Sequence, residues 1–218
     1  MKLVLHNYWR SSSSHRVRIG LALKGLAYEY VAVNLRHKEQ HTEAYLAKNP
    51  MARVPLLEVI DDSGSDGGTM RALTQSLPIL EYLEERFPTP PILPKDLYLR
   101  ARCRGLAEIV NTAIQPLQNL STIKQVAAFG GDAAAWLKRF ITEGLAGFER
   151  NARDIAGAFC IGDTPTIADC FLVPQLVSAR RHGVDPAAFE LLVAIETRCM
   201  ALPAFAQAAP DQQPDAVR

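Results

Sequence analysis

The chain has 218 residues, 24 of them Lys or Arg and 23 Asp or Glu, for a formal net charge of +1. Apolar residues make up 48% and charged residues 22%, which excludes a disordered chain and leaves room for one or two domains with a real core. The charge is spread evenly, with no basic face or tail of the kind a nucleic-acid binder carries, and apolar runs such as residues 191–195 fall far short of the about 20 residues a membrane span needs.

In chain order, residues 2–6 read as a short buried strand built on Leu3, Val4 and Leu5. The serines at 11–14 precede a helical stretch in which Val17, Leu21 and Ala22 share a face, so that Arg16, Arg18 and Lys24 are expected to reach solvent. Residues 28–35 are β-branched and aromatic, a second strand. Residues 42–48 form a short helix closed by Asn49-Pro50. Residues 54–60 and 70–73 are two strands joined by a polar, Gly-rich turn at 61–68, and 76–87 is a helix ended by Pro88. The order β-α-β-α-β-β-α over residues 1–87 predicts a small α/β layer with a C-terminal hairpin, a thioredoxin-like arrangement. Prolines at 90, 91 and 94 make 88–95 a stiff linker. Beyond it, residues 97–110, 133–151, 167–181 and 189–200 read as helices, so 96–218 is expected to be an all-helical domain. The tail from Ala208 has no core-forming pattern. Cys103, Cys160, Cys170 and Cys199 form no CxxC and read as buried thiols.

Arg10 is followed by four consecutive serines, Ser11 to Ser14, between a strand and a helix start. Capping a helix needs one of them. Several hydroxyls beside first-turn N–H groups and the positive end of the helix dipole point to an anion or thiolate site, where a thiol of reference pKa about 8.5 becomes more acidic. Val54-Pro55 opens the third strand, where a thioredoxin-like domain carries a cis-proline beside its thiol site. Gln75-Ser76 opens the helix 76–87, and a hydroxyl with first-turn N–H groups makes a carboxylate site. Pro78 in that first turn costs little, since its missing N–H would have no partner there. Thr166 and Asp169 have capping-box spacing, which satisfies helix-end N–H groups without a ligand and reads as structural.

Together these motifs resemble the zeta class of glutathione transferases, whose best-known members are maleylacetoacetate isomerases. The family signature SSCxWRVRIAL is matched by SSSSHRVRIGL, Ser11 to Leu21. Further matching stretches are NPMARVP from Asn49, QSLPILEYLEE from Gln75, IQPLQNL from Ile114, GDTPTIADCFLVPQ from Gly162 and QPDA from Gln213. The resemblance implies a thioredoxin-like glutathione-binding domain, an all-helical second domain and a cytoplasmic homodimer, without a metal. Carried over by position, Ser11, Ser12 and Ser13 surround the glutathione sulfur, with Ser11 the leading candidate. Val54, beside Pro55, pairs its backbone with the cysteinyl unit, and Gln75 and Ser76 take the γ-glutamyl end. His41 or Arg53 is the partner of the glycyl carboxylate, by position and charge only. Arg10 and Arg181 hold substrate carboxylates. Ser13 stands where the signature has cysteine and His15 where it has tryptophan, and the turn at 61–68 is longer than the family's, which reads as a loop insertion.

The reaction this resemblance implies is the cis-to-trans isomerisation of a maleyl keto acid. A C=C bond does not rotate, so it must become single for a moment. A thiolate adds to the conjugated carbon, an enolate forms, rotation follows, and loss of the thiolate restores a trans double bond. Gln115 resembles the maleylacetoacetate isomerases, whereas a similar glutathione-dependent maleylpyruvate isomerase has histidine there. Ser178-Ala179-Arg180-Arg181 and His15 look more like the latter enzyme. Maleylacetoacetate, an intermediate of aromatic amino acid catabolism, is therefore the expected substrate and maleylpyruvate the alternative. A non-catalytic binding module on the same fold is the other alternative.

Overall fold

The computed structural model describes residues 1–61 and 69–217. Strands β1 (Lys2–Asn7), β2 (Glu29–Ala32), β3 (Leu56–Asp61) and β4 (Thr69–Thr74) form a sheet of order β2-β1-β3-β4. β1 runs parallel to β2 and antiparallel to β3, so Leu5 pairs with Tyr30 on one side and Leu57 on the other. A parallel pair needs a crossover, and α1 (Ser12–Leu23) provides it. The short α2 (Glu43–Leu46) leads to β3, and α3 (Ser76–Arg86) follows β4. Leu3, Leu5, Val17, Leu21, Leu57, Val59, Ile79 and Leu83 form one core cluster, in which burying each Leu contributes about 1.5–3 kcal/mol. Gly20 lets α1 approach α3: a Cβ there would stand 2.1 Å from Leu80 Cδ2. The second strand covers half of its expected span, although the Val33 N–H still reaches Asn7 O at 2.7 Å. The turn expected at 61–68 lies, past Asp61, outside the described residues.

The next elements are helical. α4 (Leu97–Glu108) is capped by Asp96, which accepts from the Leu99 N–H at 2.8 Å. It runs on into a π-helical turn, Ile109–Ile114, in which the Gln115 N–H reaches Val110 O at 2.8 Å. Then come α5 (Leu120–Ala128), α6 (Ala133–Ala152), α7 (Ile167–Arg181) and α8 (Glu190–Met200). Phe148 of α6, Phe171 and Leu176 of α7 and Ile195 of α8 are fully buried, and so are Cys103, Cys160, Cys170 and Cys199. A Cβ on Gly144 of α6 would lie 2.2 Å from Ile114 Cγ1, so only glycine lets α6 seat the π-helical turn this closely. Helix α5 escaped the sequence pattern because it buries none of its residues. Among the described residues no helix is long and apolar enough to cross a membrane.

The contacts divide the chain into two compact units, 92–202 and 1–91, the latter joined by the tail from Pro203 on. The tail, which the sequence reading grouped with the helical domain, starts with α9 (Pro203–Ala208), whose Phe205 is fully buried. This corrects two expectations, because α1 packs against α3 and also against α9. Arg16, Arg18 and Lys24 are therefore buried rather than solvated. Lys24 Nζ donates to Glu84 Oε2 at 2.7 Å, Phe87 O at 2.7 Å and Pro90 O at 2.9 Å, which uses all three ammonium donors. Arg18 donates to Ala208 O at 3.1 Å, Asn7 Oδ1 at 2.9 Å and Trp9 O at 3.2 Å. Burial pushes the Arg18 guanidinium down to about 10.

Candidate active site

The loop between β1 and α1 is held from several sides. The Trp9 N–H donates to Asp215 Oδ2 at 3.1 Å, and Trp9 O accepts from Arg18. Asp215 also accepts from the Tyr30 hydroxyl, and burial together with that bond pushes the Tyr30 phenol up. The QPDA stretch of the tail thus braces the segment that carries Arg10, whose guanidinium lies 5.5 Å from the centre of the Trp9 ring. Ser11 is the N-cap of α1. Its Oγ accepts from the Ser14 N–H at 3.2 Å, which leaves its own O–H to donate. The serine run divides by exposure: Ser11, Ser12 and Ser13 are half-buried, while Ser14 is fully buried and cannot reach a ligand. The first turn of α1 holds no acidic residue, so the helix does not neutralise its own N–H groups and dipole end there.

The helix start that carries Gln75 and Ser76 is that of α3. Gln75 is its N-cap and holds φ at 69°, a backbone state that costs a non-glycine residue about 1–3 kcal/mol and recurs at functional sites. Ser76 is buried, and its Oγ accepts from Arg16 Nη1 at 3.2 Å. The buried guanidinium of α1 therefore bears directly on the hydroxyl at the start of α3, and that hydroxyl keeps its own proton to give. Sequence reading missed Arg16 because the helical period puts it opposite the apolar stripe. The one available signal was its place inside the matched SSSSHRVRIGL stretch.

Val54-Pro55 is cis, and the β3 ladder begins just past it at Leu56. The preceding loop is tied down by Asn49, whose Nδ2 donates to Arg53 O at 2.7 Å while its Oδ1 accepts from the Met51 N–H at 3.1 Å. The Tyr45 hydroxyl of α2 donates to the same Arg53 oxygen at 2.6 Å. The Arg53 and His41 side chains are exposed, His41 in a single turn of 3-10 helix, Glu39–His41, that precedes α2. Behind them Glu58 of β3 takes Lys48 at 2.6 Å and His6 at 3.1 Å. Burial raises the Glu58 carboxyl, the bonds from Lys48 and His6 lower it, and the lowering wins.

The other candidates lie in the second unit. Gln115 follows the π-helical turn and is half-buried, its Oε1 accepting from Gln118 Nε2 at 3.4 Å. Arg181 is the last residue of α7 and is exposed. The neighbouring Arg180 closes its fork on Glu196, at 2.7 and 2.5 Å, so that guanidinium is already engaged with a carboxylate.

Residues 5–91 match the family model for the glutathione S-transferase N-terminal domain. A maleylacetoacetate isomerase of Rhizobium meliloti is 47% identical over 214 residues, 96% of this chain and 96% of its own length. The chain belongs to the zeta class of glutathione transferases. A maleylpyruvate isomerase of Ralstonia sp. is 43% identical over 217 residues, 97% of this chain and 98% of its own. A crystal structure of the maleylacetoacetate isomerase of Anaeromyxobacter dehalogenans 2CP-1 with bound glutathione is 51% identical, with a TM-score of 0.90 over 99% of this chain and 98% of that one. The same enzyme is solved with dicarboxyethyl glutathione and citrate in its active site, at 50% identity and a TM-score of 0.90 over 100% and 98% of the two chains. In this zeta-class chain Arg16 ties the serine-rich start of α1 to Ser76 at the start of α3.

Proposed function

We propose that this zeta-class chain is a glutathione-dependent cis–trans isomerase that converts maleylacetoacetate to fumarylacetoacetate, with maleylpyruvate as a slower substrate. The observation that carries the reading is the start of α1, with half-buried Ser11 to Ser13, no acid in the first turn and a link through Arg16 to Ser76 at a second helix start. Two helix starts suited to negative charge fit a tripeptide that carries both a thiolate and carboxylates. The relative that holds dicarboxyethyl glutathione and citrate supports a site for the tripeptide together with further carboxylates.

Bound there, glutathione supplies a thiolate that adds reversibly to the conjugated double bond and so lets it turn. Ser11 leads in donating a hydrogen bond to the sulfur, with Ser12 and Ser13 as close competitors. Ser76 and Gln75 hold the γ-glutamyl end, the Val54 backbone pairs with the cysteinyl unit, and His41 or Arg53 takes the glycyl carboxylate. Arg10 and Arg181 hold the carboxylates of the keto acid as planar forks. Arg181 is the arginine that the resemblance assigns at the end of α7, and the neighbouring Arg180 closes its fork on Glu196. Residues 1–87 are the glutathione-binding domain, which the tail from Pro203 joins, 88–95 the linker, and the helical domain up to Leu202 carries Gln115 and Arg181. The chain acts as a homodimer in the cytoplasm, in aromatic amino acid catabolism. Leu97 and Tyr98, 81% and 65% exposed at the start of α4, are apolar surface that such a dimer would cover.

Steady-state kinetics with sub-stoichiometric glutathione tests the activity. Both acids should turn over to their trans isomers, maleylacetoacetate with the higher kcat/KM. The two differ by one methylene, worth about 1–3 kcal/mol of discrimination in a pocket, so cross-reactivity is expected. A reversed order would make maleylpyruvate the substrate, and turnover of neither would overturn the proposal.

A further inference from the structure

The tail meets the β1–α1 loop as one turn set against another. Tyr8 to Ser11 make a four-residue turn, closed by the Ser11 N–H on Tyr8 O at 3.0 Å, with Trp9 and Arg10 at its corners. Gln213 to Ala216 make the other, closed by the Ala216 N–H on Gln213 O at 3.0 Å, with Pro214 at the corner where its fixed φ suits a turn. This second turn has a seat of its own. Gln213 is buried, and its Nε2 donates to Gln207 O at 2.9 Å and Ala209 O at 2.8 Å about the end of α9.

Both main-chain groups of Trp9 are held from outside their own turn. The N–H donates to Asp215 Oδ2 at 3.1 Å, and the oxygen accepts from Arg18 Nη2 at 3.2 Å. The tail stands behind both holds, because the Arg18 guanidinium is itself seated by Ala208 O at 3.1 Å and Asn7 Oδ1 at 2.9 Å. Asp215 is kept in place by the Tyr30 hydroxyl on its other oxygen. Peptide N–H and guanidinium groups only donate, while carbonyl and carboxylate oxygens only accept. The Asn7 amide also fits in one sense, since its Nδ2 donates to Leu5 O at 3.3 Å. These bonds therefore specify a single setting of the turn.

We infer that Asp215, through the Trp9 N–H, is a positioning residue that sets Ser11 and Arg10 for the reaction. The inference deepens the reading of Ser11 as the hydroxyl on the glutathione sulfur and of Arg10 as a substrate arginine, and rests on it. Arg10 is a corner of the held turn, and Ser11 is its last residue as well as the N-cap of α1. The setting of the Trp9 peptide thus decides where the Ser11 hydroxyl and the Arg10 fork start from. Chemistry between positioned groups is sensitive to such a setting: a misplacement of about 1 Å can cost about 100-fold. The tripeptide's other contacts, at Gln75, Ser76 and Val54, belong to the start of α3 and the loop before β3, to which Asp215 makes no bond. The tail is therefore expected to act on the thiolate and the isomerisation more than on the grip on the tripeptide.

The test compares Asp215→Ala, which removes the hold, with Asp215→Asn, which keeps it without the charge. An asparagine oxygen still takes the Trp9 N–H, and its nitrogen faces the Tyr30 oxygen, a hydroxyl that accepts as well as donates. The readouts, on the full chain, are the pH midpoint of the thiolate absorbance of bound glutathione, kcat/KM for both maleyl acids, and affinity for S-methylglutathione, which keeps the tripeptide's ends and has no thiol proton. In Asp215→Ala the midpoint should rise by about one unit and kcat/KM should fall about 10-fold for both acids, while affinity for S-methylglutathione stays within about 2-fold. Asp215→Asn should behave like the wild type. Should Asp215→Ala fail to fold, Tyr30→Phe, which only loosens Asp215, should move the midpoint the same way by less. An unchanged midpoint or unchanged kcat/KM overturns the inference. So does an equal loss of S-methylglutathione affinity, the mark of a general loosening. Asp215→Asn as impaired as Asp215→Ala overturns positioning in favour of the charge itself. Wild-type turnover of neither acid overturns the proposed activity instead, and the thiol midpoints then decide the positioning.

Discussion

The start of α7 is closed by its own side chains. Asp169 accepts from the Thr166 N–H at 2.7 Å, the Thr166 hydroxyl at 2.9 Å and the Cys160 N–H at 2.8 Å, all of it buried. The start of α1 also has a hydroxyl cap, Ser11, but the position corresponding to Asp169 is Ser14, and the first turn contains no carboxylate. The same end of the same kind of helix carries a carboxylate in its first turn in one unit and none in the other. The two starts differ in whether the first turn brings its own negative charge, and a start without one is the kind suited to an anion.

That contrast can be broken from either side. The largest expected effect is on stability at α7. Asp169→Ala strands two buried N–H groups, those of Cys160 and Thr166, at about 1–3 kcal/mol each, and the denaturant midpoint should drop accordingly. Next is Ser76→Ala, which should weaken glutathione binding by about 1.5–3 kcal/mol, as for a hydrogen bond to a charged group, with calorimetry as the readout. Arg181→Ala should lower kcat/KM for both maleyl acids by a comparable factor. Ser11→Ala should cost the fold only the value of one cap, about 1 kcal/mol, far less than Asp169→Ala, while it still disturbs the chemistry.

The smallest effect is confined to acid. The Glu58 carboxyl is held below its ordinary range when folded, so its contribution to stability is present above the unfolded value of about 4.3 and is lost as pH falls through the folded one. Glu58→Gln should flatten the acid limb of the stability profile, and an unchanged limb would show that the bonds from Lys48 and His6 are not what holds it.

Features that depend on neighbours in sequence were legible. The helix at 167–181 has its expected bounds, Thr166 and Asp169 form the expected box, and Gln75-Ser76 stands at its expected helix start, whereas Val54-Pro55, cis, precedes the third strand, which begins at Leu56. What was not legible depends on distant partners. Arg18 is buried because its guanidinium meets Ala208 O from the far end of the chain, and Lys24 because Phe87 O and Pro90 O come to it. Periodicity separates apolar from polar positions, and a cation that ends on buried carbonyls has the pattern of one that ends in water. The stretch from Ala208 looked coreless because, past the buried Phe205 of α9, its hold is largely polar, through Asp215 on Trp9 and Tyr30. In the same way, nothing local links Gln118 to Gln175, and the one-residue excess of the π-helical turn leaves no mark on an apolar pattern.

The central claim, that the open start of α1 stabilises a thiolate for the isomerisation, is tested most directly by titrating the thiolate absorbance of glutathione bound to the wild type and to Ser11→Ala, Ser12→Ala and Ser13→Ala. The bound thiol should titrate below the reference value of about 8.5, with the largest upward shift of its midpoint in Ser11→Ala. A bound thiol that titrates like a free one in the wild type would contradict the account.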